Sequence, residues 1–503
     1  MKHTTLIVGL ICGLVAAKPT NFDTWSVGQV VSTTSGRVVG HAAQDVPDVS
    51  EYLGIPFAAA PVGTLRFQPP VPFNGSAVIN GSSFVSLFNV VSVTPASGPG
   101  CMQPSDTDFP QSEDCLSVNV WTKPQVGQRK KAVLVWVHGG AYSYGSARQD
   151  GYSGRFFAND SDVVLMSINY RLGIFGFPGN PATTANLGLL DMRLALEWIR
   201  DNAQNFGGDP SRISVFGQSA GAGMADFYAY AYALDPIANG FILQSATVIG
   251  FPALSKNYTS TRWFRLAAAV GCGTGISGTA DLNLVTDCMK NRTTEKIFGA
   301  FGTEETGVGS TPAFGPGVDD VLVFEDYTGR RAAEAGYLIG DNANEAGLFR
   351  MLQPNRSDAY WNDFNFRYYT CGDAVRISQA VDDGMPAWRY RYFGDFPNLA
   401  VSTNPPSGAY HGAELQPLFG TLPQTPPSTA VELATAEFLR RAWTTFAKDT
   451  SSGLLSYAGG WPIYDPVQLS LAQIARDNQT GTNLGLGNSF DGICSSLPAT
   501  PPS

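Results

Sequence analysis

The chain has 503 residues, 44% of them hydrophobic and 15% charged, enough apolar material for a large core. Its formal net charge of −10 argues against a nucleic-acid partner and against an anionic membrane surface.

The N-terminus reads as a signal peptide over residues 1–17. Lys2 supplies the positive start, Leu6 to Val15 the apolar stretch, and Val15-Ala16-Ala17 the small residues for cleavage before Lys18. The apolar stretch is too short to span a bilayer, and Leu497 to Ser503 carries no hydrophobic tail, so no stable membrane anchoring is expected. The expectation is a secreted, extracellular protein whose residues 18–503 form a single catalytic domain. Removing Cys12 leaves Cys101, Cys115, Cys272, Cys288, Cys371 and Cys494, an even set suited to three disulfides. Six cysteines allow about 15 connectivities. Pairing near neighbours gives Cys101–Cys115 and Cys272–Cys288 as loop staples, which leaves Cys371–Cys494 to tie down the C-terminus. Asn74, Asn80, Asn159, Asn257, Asn291, Asn355 and Asn478 stand in N-x-S/T sequons, as expected of a glycoprotein.

Residues 26–57 hold short β-like runs, Val27 to Val31 and Ser35 to Gly40, and read as a small N-terminal β region. Leu116 to Trp121, Lys131 to Val137 and Asp162 to Ile168 follow as strands. Their unbroken apolar character implies cover on both faces, hence a large, mostly parallel central sheet flanked by helices. Leu189, Met192, Leu196 and Ile199 mark a helix stopped by Gly207-Gly208. Arg212 to Phe216, Gly240 to Gln244, Gly336 to Gly340 and residues 385–393 read as further strands. Val431, Phe438, Ala442, Trp443 and Phe446 lie on a second amphipathic helix, and residues 299–320 read as a Gly-rich loop. The alternation of strands and helices is that of one α/β unit.

The chemistry centres on Gly217-Gln218-Ser219-Ala220-Gly221, set between a strand and a helix. Gly-x-Ser-x-Gly in that setting is the nucleophile elbow of an α/β-hydrolase, with glycines where strand and helix pass too closely for a Cβ. A serine hydroxyl needs a base. Of four histidines, His3, His41, His138 and His411, only His411 follows Ser219, so the order nucleophile–acid–histidine makes His411 the base. Asp341 and Glu345, both on the turn after Gly336 to Gly340, are alternative acids, and the residues alone do not separate them. His138-Gly139-Gly140-Ala141 follows a buried strand and offers backbone N–H groups to a developing oxyanion, with Ala220 N–H beside them. No Walker lysine makes it a phosphate loop. Gly273 to Gly278 matches G-x-G-x-x-G but follows a helix, so no dinucleotide cofactor is expected, and without H-E-x-x-H no catalytic metal is expected either.

Four stretches together resemble the type B carboxylesterase family, the cholinesterase-like branch of the α/β-hydrolases. They are Glu113 to Val120; His138-Gly139-Gly140; Asn186 to Asp191 with Phe206 to Pro210; and Gly217 to Gly221. Asn344-Glu345 and His411-Gly412 add matching acid and base sites. The resemblance, to secreted fungal members in character, covers roughly residues 26–465. It implies Ser219 as nucleophile, Glu345 rather than Asp341 as acid and His411 as base. It implies oxyanion donors at Gly140, Ala141 and Ala220, with Gly139 supporting, and it favours the Cys101–Cys115 and Cys272–Cys288 pairings. The implied activity is hydrolysis of small-molecule carboxylic esters through an acyl-enzyme. This chain departs from the cholinesterases between its first two cysteines. Met102 to Glu113 is short and contains Phe109 but no tryptophan, which removes the main anchor for a choline cation. The same loop, with Asp106, Asp108 and Glu113, is a poor lipid-facing lid. Two alternatives stand beside the esterase: a lipase acting on longer acylglycerols, and a non-catalytic binding or adhesion protein, which would be expected to lack the serine.

Overall fold

The computed structural model describes residues 22–75, 78–81, 98–105, 107–273, 281–302 and 314–497. The signal-peptide reading, most of the Gly273 to Gly278 motif and the centre of the Gly-rich loop lie outside the described residues.

Eleven strands form one sheet. In chain order they are β1 (His41–Ala43), β2 (Val46–Pro56), β3 (Ser117–Thr122), β4 (Lys131–Val137), β5 (Val164–Ile168), β6 (Gly208–Gln218), β7 (Gly240–Gln244), β8 (Gly336–Asn342), β9 (Ala387–Tyr392), β10 (Leu469–Ile474) and β11 (Leu484–Leu486). Across the sheet the order is β11-β10-β9-β8-β7-β6-β4-β5-β3-β2-β1. Every contact from β10 to β5 is parallel. The two edges turn antiparallel, at β3, β2 and β1 on one side and at β11 on the other. A hairpin of Val31–Thr33 with Gly36–Val39 stands apart, joined by Ile79–Asn80, and forms the N-terminal β region.

The parallel core follows from side-chain alternation on strands that are apolar throughout. Along β4, Val133, Val135 and Val137 pack to one face with Leu189, Met192, Leu196 and Ile199 of helix α1 (Leu187–Asn202). Ala132, Leu134 and Trp136 pack to the other, with Phe438, Trp443 and Phe446 of a long helix, Ala430–Lys448. Both layers are removed from water, at about 25 cal/mol per Å2 of apolar surface. Helix α2 (Ala220–Ala231) leaves the C-terminal end of β6 and covers the first face.

Between β8 and β9 lie three helical pieces, α3 (Ala346–Leu352), α4 (Asp358–Phe364) and α5 (Cys371–Asp382). A π-helical stretch, Asn365–Thr370, joins the last two. Such wide turns re-aim side chains; this one directs Tyr368 and Tyr369 toward the pocket described below. Disulfides join Cys101 to Cys115, Cys272 to Cys288 and Cys371 to Cys494. The side chains of Asn74, Asn159, Asn257, Asn291, Asn355 and Asn478 are exposed, and that of Asn80 lies outside the described residues.

Beneath the Cys371–Cys494 bond is a buried charged cluster. Arg391 Nη1 donates to Asp341 Oδ2 at 2.9 Å, and Arg389 Nη1 donates to Asp491 Oδ2 at 2.7 Å. Asp373 is fully buried beside them, and neither of its carboxylate oxygens has a hydrogen-bond partner among the described residues. Burial raises its pKa well above the ordinary carboxylate value, the charge of Asp341 adds to this, and Arg389 opposes it. A group raised on folding contributes stability below its unfolded pKa, near 4, and loses it as pH climbs. Asp373→Asn is therefore expected to melt a few degrees above the wild type at pH 7 and level with it below about pH 4. Thermal melts across pH 3–8 check this; an equal melting temperature at pH 7 would contradict it.

Candidate active site

The parallel strands end together, and their C-terminal loops assemble the site. Ser219 sits between β6 and α2 with φ 57° and ψ −128°. A non-glycine residue holds such a backbone only where its surroundings over-determine it. The surroundings do so here. A Cβ on Gly221 would lie 2.0 Å from the Val137 carbonyl oxygen, and one on Gly217 would lie 2.4 Å from the Gly221 carbonyl carbon. Ser219 N–H donates to Gln244 O at 2.8 Å, pinning the turn to β7. The N-terminus of α2 then points its unspent N–H groups toward the serine.

The loop after β4 faces the elbow. Gly140, Ala141 and Tyr142 all have positive φ, at 109°, 52° and 58°. The loop is held by Ser143 N–H and Tyr144 N–H donating to Gly140 O, and by Gly173 N–H donating to Tyr142 O. His138 does not reach the serine. It stacks on Tyr170 with 4.7 Å between ring centroids, and burial lowers its pKa to about 4, so it is a neutral structural group. Among the described residues, the N–H groups of Gly140, Ala141 and Ala220 donate no hydrogen bond. Gly139 is required for another reason: a Cβ there would fall 2.7 Å from Gln218 O and 3.0 Å from Ser219 Cβ.

The acid and base come from two interlaced loops. His411 Nδ1 lies 2.6 Å from Glu345 Oε2, and Glu345 is fully buried. Asn342 N–H donates to Glu345 Oε1 at 2.6 Å, fixing the carboxylate. The two candidate acids separate on this geometry: Glu345 meets the imidazole, whereas Asp341 is spent on Arg391 and Thr370. The turn that carries His411 is packed, because Asn344 N–H donates to Ala409 O and Asn342 Nδ2 donates to Tyr410 O. Phe349 and Tyr369 flank the imidazole, at 5.0 and 5.5 Å between centroids.

Four polar side chains at the site have roles that a reading of the sequence does not assign. Gln218 Nε2 donates to His411 Nε2 at 3.2 Å, occupying the ring nitrogen that would face a serine hydroxyl. Catalytic hydrogen bonds often tighten only when substrate binds. Glu414, fully buried, accepts from Asn342 Nδ2 at 2.6 Å and Gln244 Nε2 at 2.9 Å, and burial raises its pKa. Gln244 and Asn342 thereby connect the serine, acid and histidine loops. Only Gln218 carried a sequence signal, its place next to the nucleophile.

A pocket of about 430 Å3 opens beside Ser219, Ala141 and Ala220. Its walls are aromatic, including Phe227, Phe251, Phe314, Phe349, Phe364 and Tyr368. Among the described residues no cluster of His, Cys, Asp or Glu is arranged to hold a metal ion.

A family model described as the carboxylesterase family matches residues 27–368. The chain belongs to the carboxylesterase family. Its sheet and elbow are those of the α/β-hydrolase fold, and the protein is a carboxylic ester hydrolase. Chlorogenic acid esterase of Aspergillus niger is 32% identical, over 96% of this chain and 97% of that protein. Secreted lipase 5 of Gibberella zeae is 30% identical, over 95% of this chain and 96% of its own. Acetylcholinesterase of Electrophorus electricus is 34% identical over a shorter region, 52% of this chain and 42% of that protein. This carboxylesterase-family chain has, among its described residues, no helix long and apolar enough to cross a membrane.

Proposed function

We propose that the protein is a secreted serine carboxylesterase. The observation that carries this reading is a serine at positive φ, set beside three unspent N–H groups and served by a buried Glu345–His411 pair. In the reaction, His411 Nε2 takes the Ser219 hydroxyl proton as Oγ attacks the ester carbonyl. Glu345 holds the imidazole tautomer and stabilises the imidazolium. The N–H groups of Gly140, Ala141 and Ala220 receive the oxyanion, each such donor contributing roughly 3–4 kcal/mol in the transition state. Collapse expels the alcohol, which takes the proton from His411. Water then adds by the same route, releases the acid and restores Ser219. Secretion is supported by the Lys2 to Ala17 pattern, by the exposed sequons and by a relative named as a secreted lipase.

That relative, with the apolar pocket, also supports a second reading as a lipase on longer acyl chains. Hydrolysis of p-nitrophenyl esters from acetate to palmitate separates the two. An esterase is expected to peak at short or aryl acyl groups in solution. A lipase is expected to rise sharply above the solubility limit of the long esters. Inactivity on the whole series, with no labelling of Ser219 by an organophosphate, would refute both.

A further inference from the structure

The ester-hydrolase reading leaves open what the alcohol half of the substrate is, and the surroundings of His411 bear on it. The apolar pocket touches Ser219 and the oxyanion donors Ala141 and Ala220, which places it where the acyl group sits. The leaving oxygen must meet His411 Nε2, on the side held by Gln218. A different cavity lies one residue further along the histidine loop. It has about 480 Å3 and reaches the backbone of Gly412, next to the imidazole. Gly412 has φ 86°, a conformation that favours glycine, and the side chains nearest to where its Cβ would stand are those of Leu415, at 3.5 Å, and Gln218, at 3.7 Å.

The lining differs in kind from that of the acyl pocket. Gln149, Asp150 and Gln416 are exposed within it, and their side chains make no hydrogen bond to any described residue. Phe109 and Tyr152, both half-buried, supply flat apolar faces beside them. Planar amides and a carboxylate beside aromatic faces suit an alcohol that carries several hydroxyls on an apolar ring. The cavity also does not end there. Gln149, Asp150, Gly151 and Gln416 are shared with a wider trench of about 1020 Å3 running on past Gln44 and Gln424. Its lining mixes acidic and basic side chains, Asp45, Glu51 and Asp150 with Arg148 and Arg155, and Arg155 Nη2 lies 3.6 Å from Asp45 Oδ2, so no site of a single sign is built along it. A diacylglycerol leaving group, apolar along its length, is poorly matched to such a surface.

We propose that the alcohol half of the ester is a neutral saccharide longer than one ring, bound in this trench, and that Gln149 and Gln416 set that specificity. The proposal rests on the serine-esterase reading. Its test measures kcat/KM for the methyl, glucosyl and cellotriosyl esters of 3-phenylpropanoic acid, using the secreted protein and the double variant Gln149→Ala/Gln416→Ala. Both residues are exposed, so the fold is not at stake. The wild type is expected to prefer the cellotriosyl ester to the methyl ester through a lower KM. Losing two neutral hydrogen bonds is expected to shrink that preference about tenfold. A wild type indifferent to the alcohol, or a double variant that keeps the full preference, overturns the proposal. Inactivity on all three esters defeats the esterase reading instead, and the trench is then judged by titrating Ser219→Ala with cellotriose. Saturable binding that the double variant loses supports it, and no binding overturns it.

Discussion

Ser219→Ala is expected to lower kcat by about 10^4-fold or more while the melting temperature stays near that of the wild type. The two halves of this result have separate causes. The hydroxyl is the only atom lost, and the contacts that fix the elbow are made by the backbone: Ser219 N–H to Gln244 O, and the close passage of Gly221 against Val137 O. The three N–H donors and the aromatic pocket also remain, so a small residual rate over water is expected to survive. Initial rates on p-nitrophenyl acetate and a thermal melt of the same preparation check both. A variant keeping more than about a hundredth of the wild-type kcat would take Ser219 out of the reaction. Gly221→Ala makes the contrast sharper. Its added methyl group would meet a backbone oxygen at 2.0 Å, so folding rather than chemistry is expected to fail.

What could be read without coordinates is what the chain encodes locally. The apolar run Lys131 to Val137 announces a strand buried on both faces, and the structure buries all seven of its residues. The elbow is legible because its glycines answer a steric demand within five residues. Other elements are illegible for equally physical reasons. β2 contains Pro47, Gly54 and Pro56, which read as punctuation; it tolerates them near the antiparallel edge of the sheet. β10 is a short run of mixed polarity whose burial comes from its place between β9 and β11 and from the packing of Ala472 and Ile474 on the second face. The α4 to α5 region has no single helical period because a π-helical stretch interrupts it. At the site, Ser219 and His411 follow from motif and chain order. The roles of Gln244, Asn342 and Glu414 exist only as contacts between segments 72 to 170 residues apart, which no local pattern records. The choice between Asp341 and Glu345 sits on that boundary. Four residues apart, one at the end of β8 and one on the turn after it, they are alike in chemistry and differ in which long-range partner each meets.

That difference gives the second large effect. Glu345→Gln is expected to reduce kcat by about 10^4-fold with little change in KM, because an amide in place of the carboxylate no longer enforces the imidazole tautomer that leaves Nε2 free to accept a proton. The His411 Nδ1–Glu345 Oε2 contact of 2.6 Å is where the loss falls. Asp341→Asn removes a carboxylate only four residues away but acts on stability. Its Oδ2 accepts from Arg391 Nη1 at 2.9 Å and from Thr370 Oγ1 at 2.8 Å, both fully or nearly buried. Breaking a buried pair by removing one charge costs roughly 3–5 kcal/mol, so the protein is expected to melt lower while kcat stays within about tenfold of the wild type. The pair of variants is informative because the outcomes cross. If Asp341→Asn lost kcat at an unchanged melting temperature while Glu345→Gln kept it, the acid would be Asp341 and the short contact at His411 would be structural.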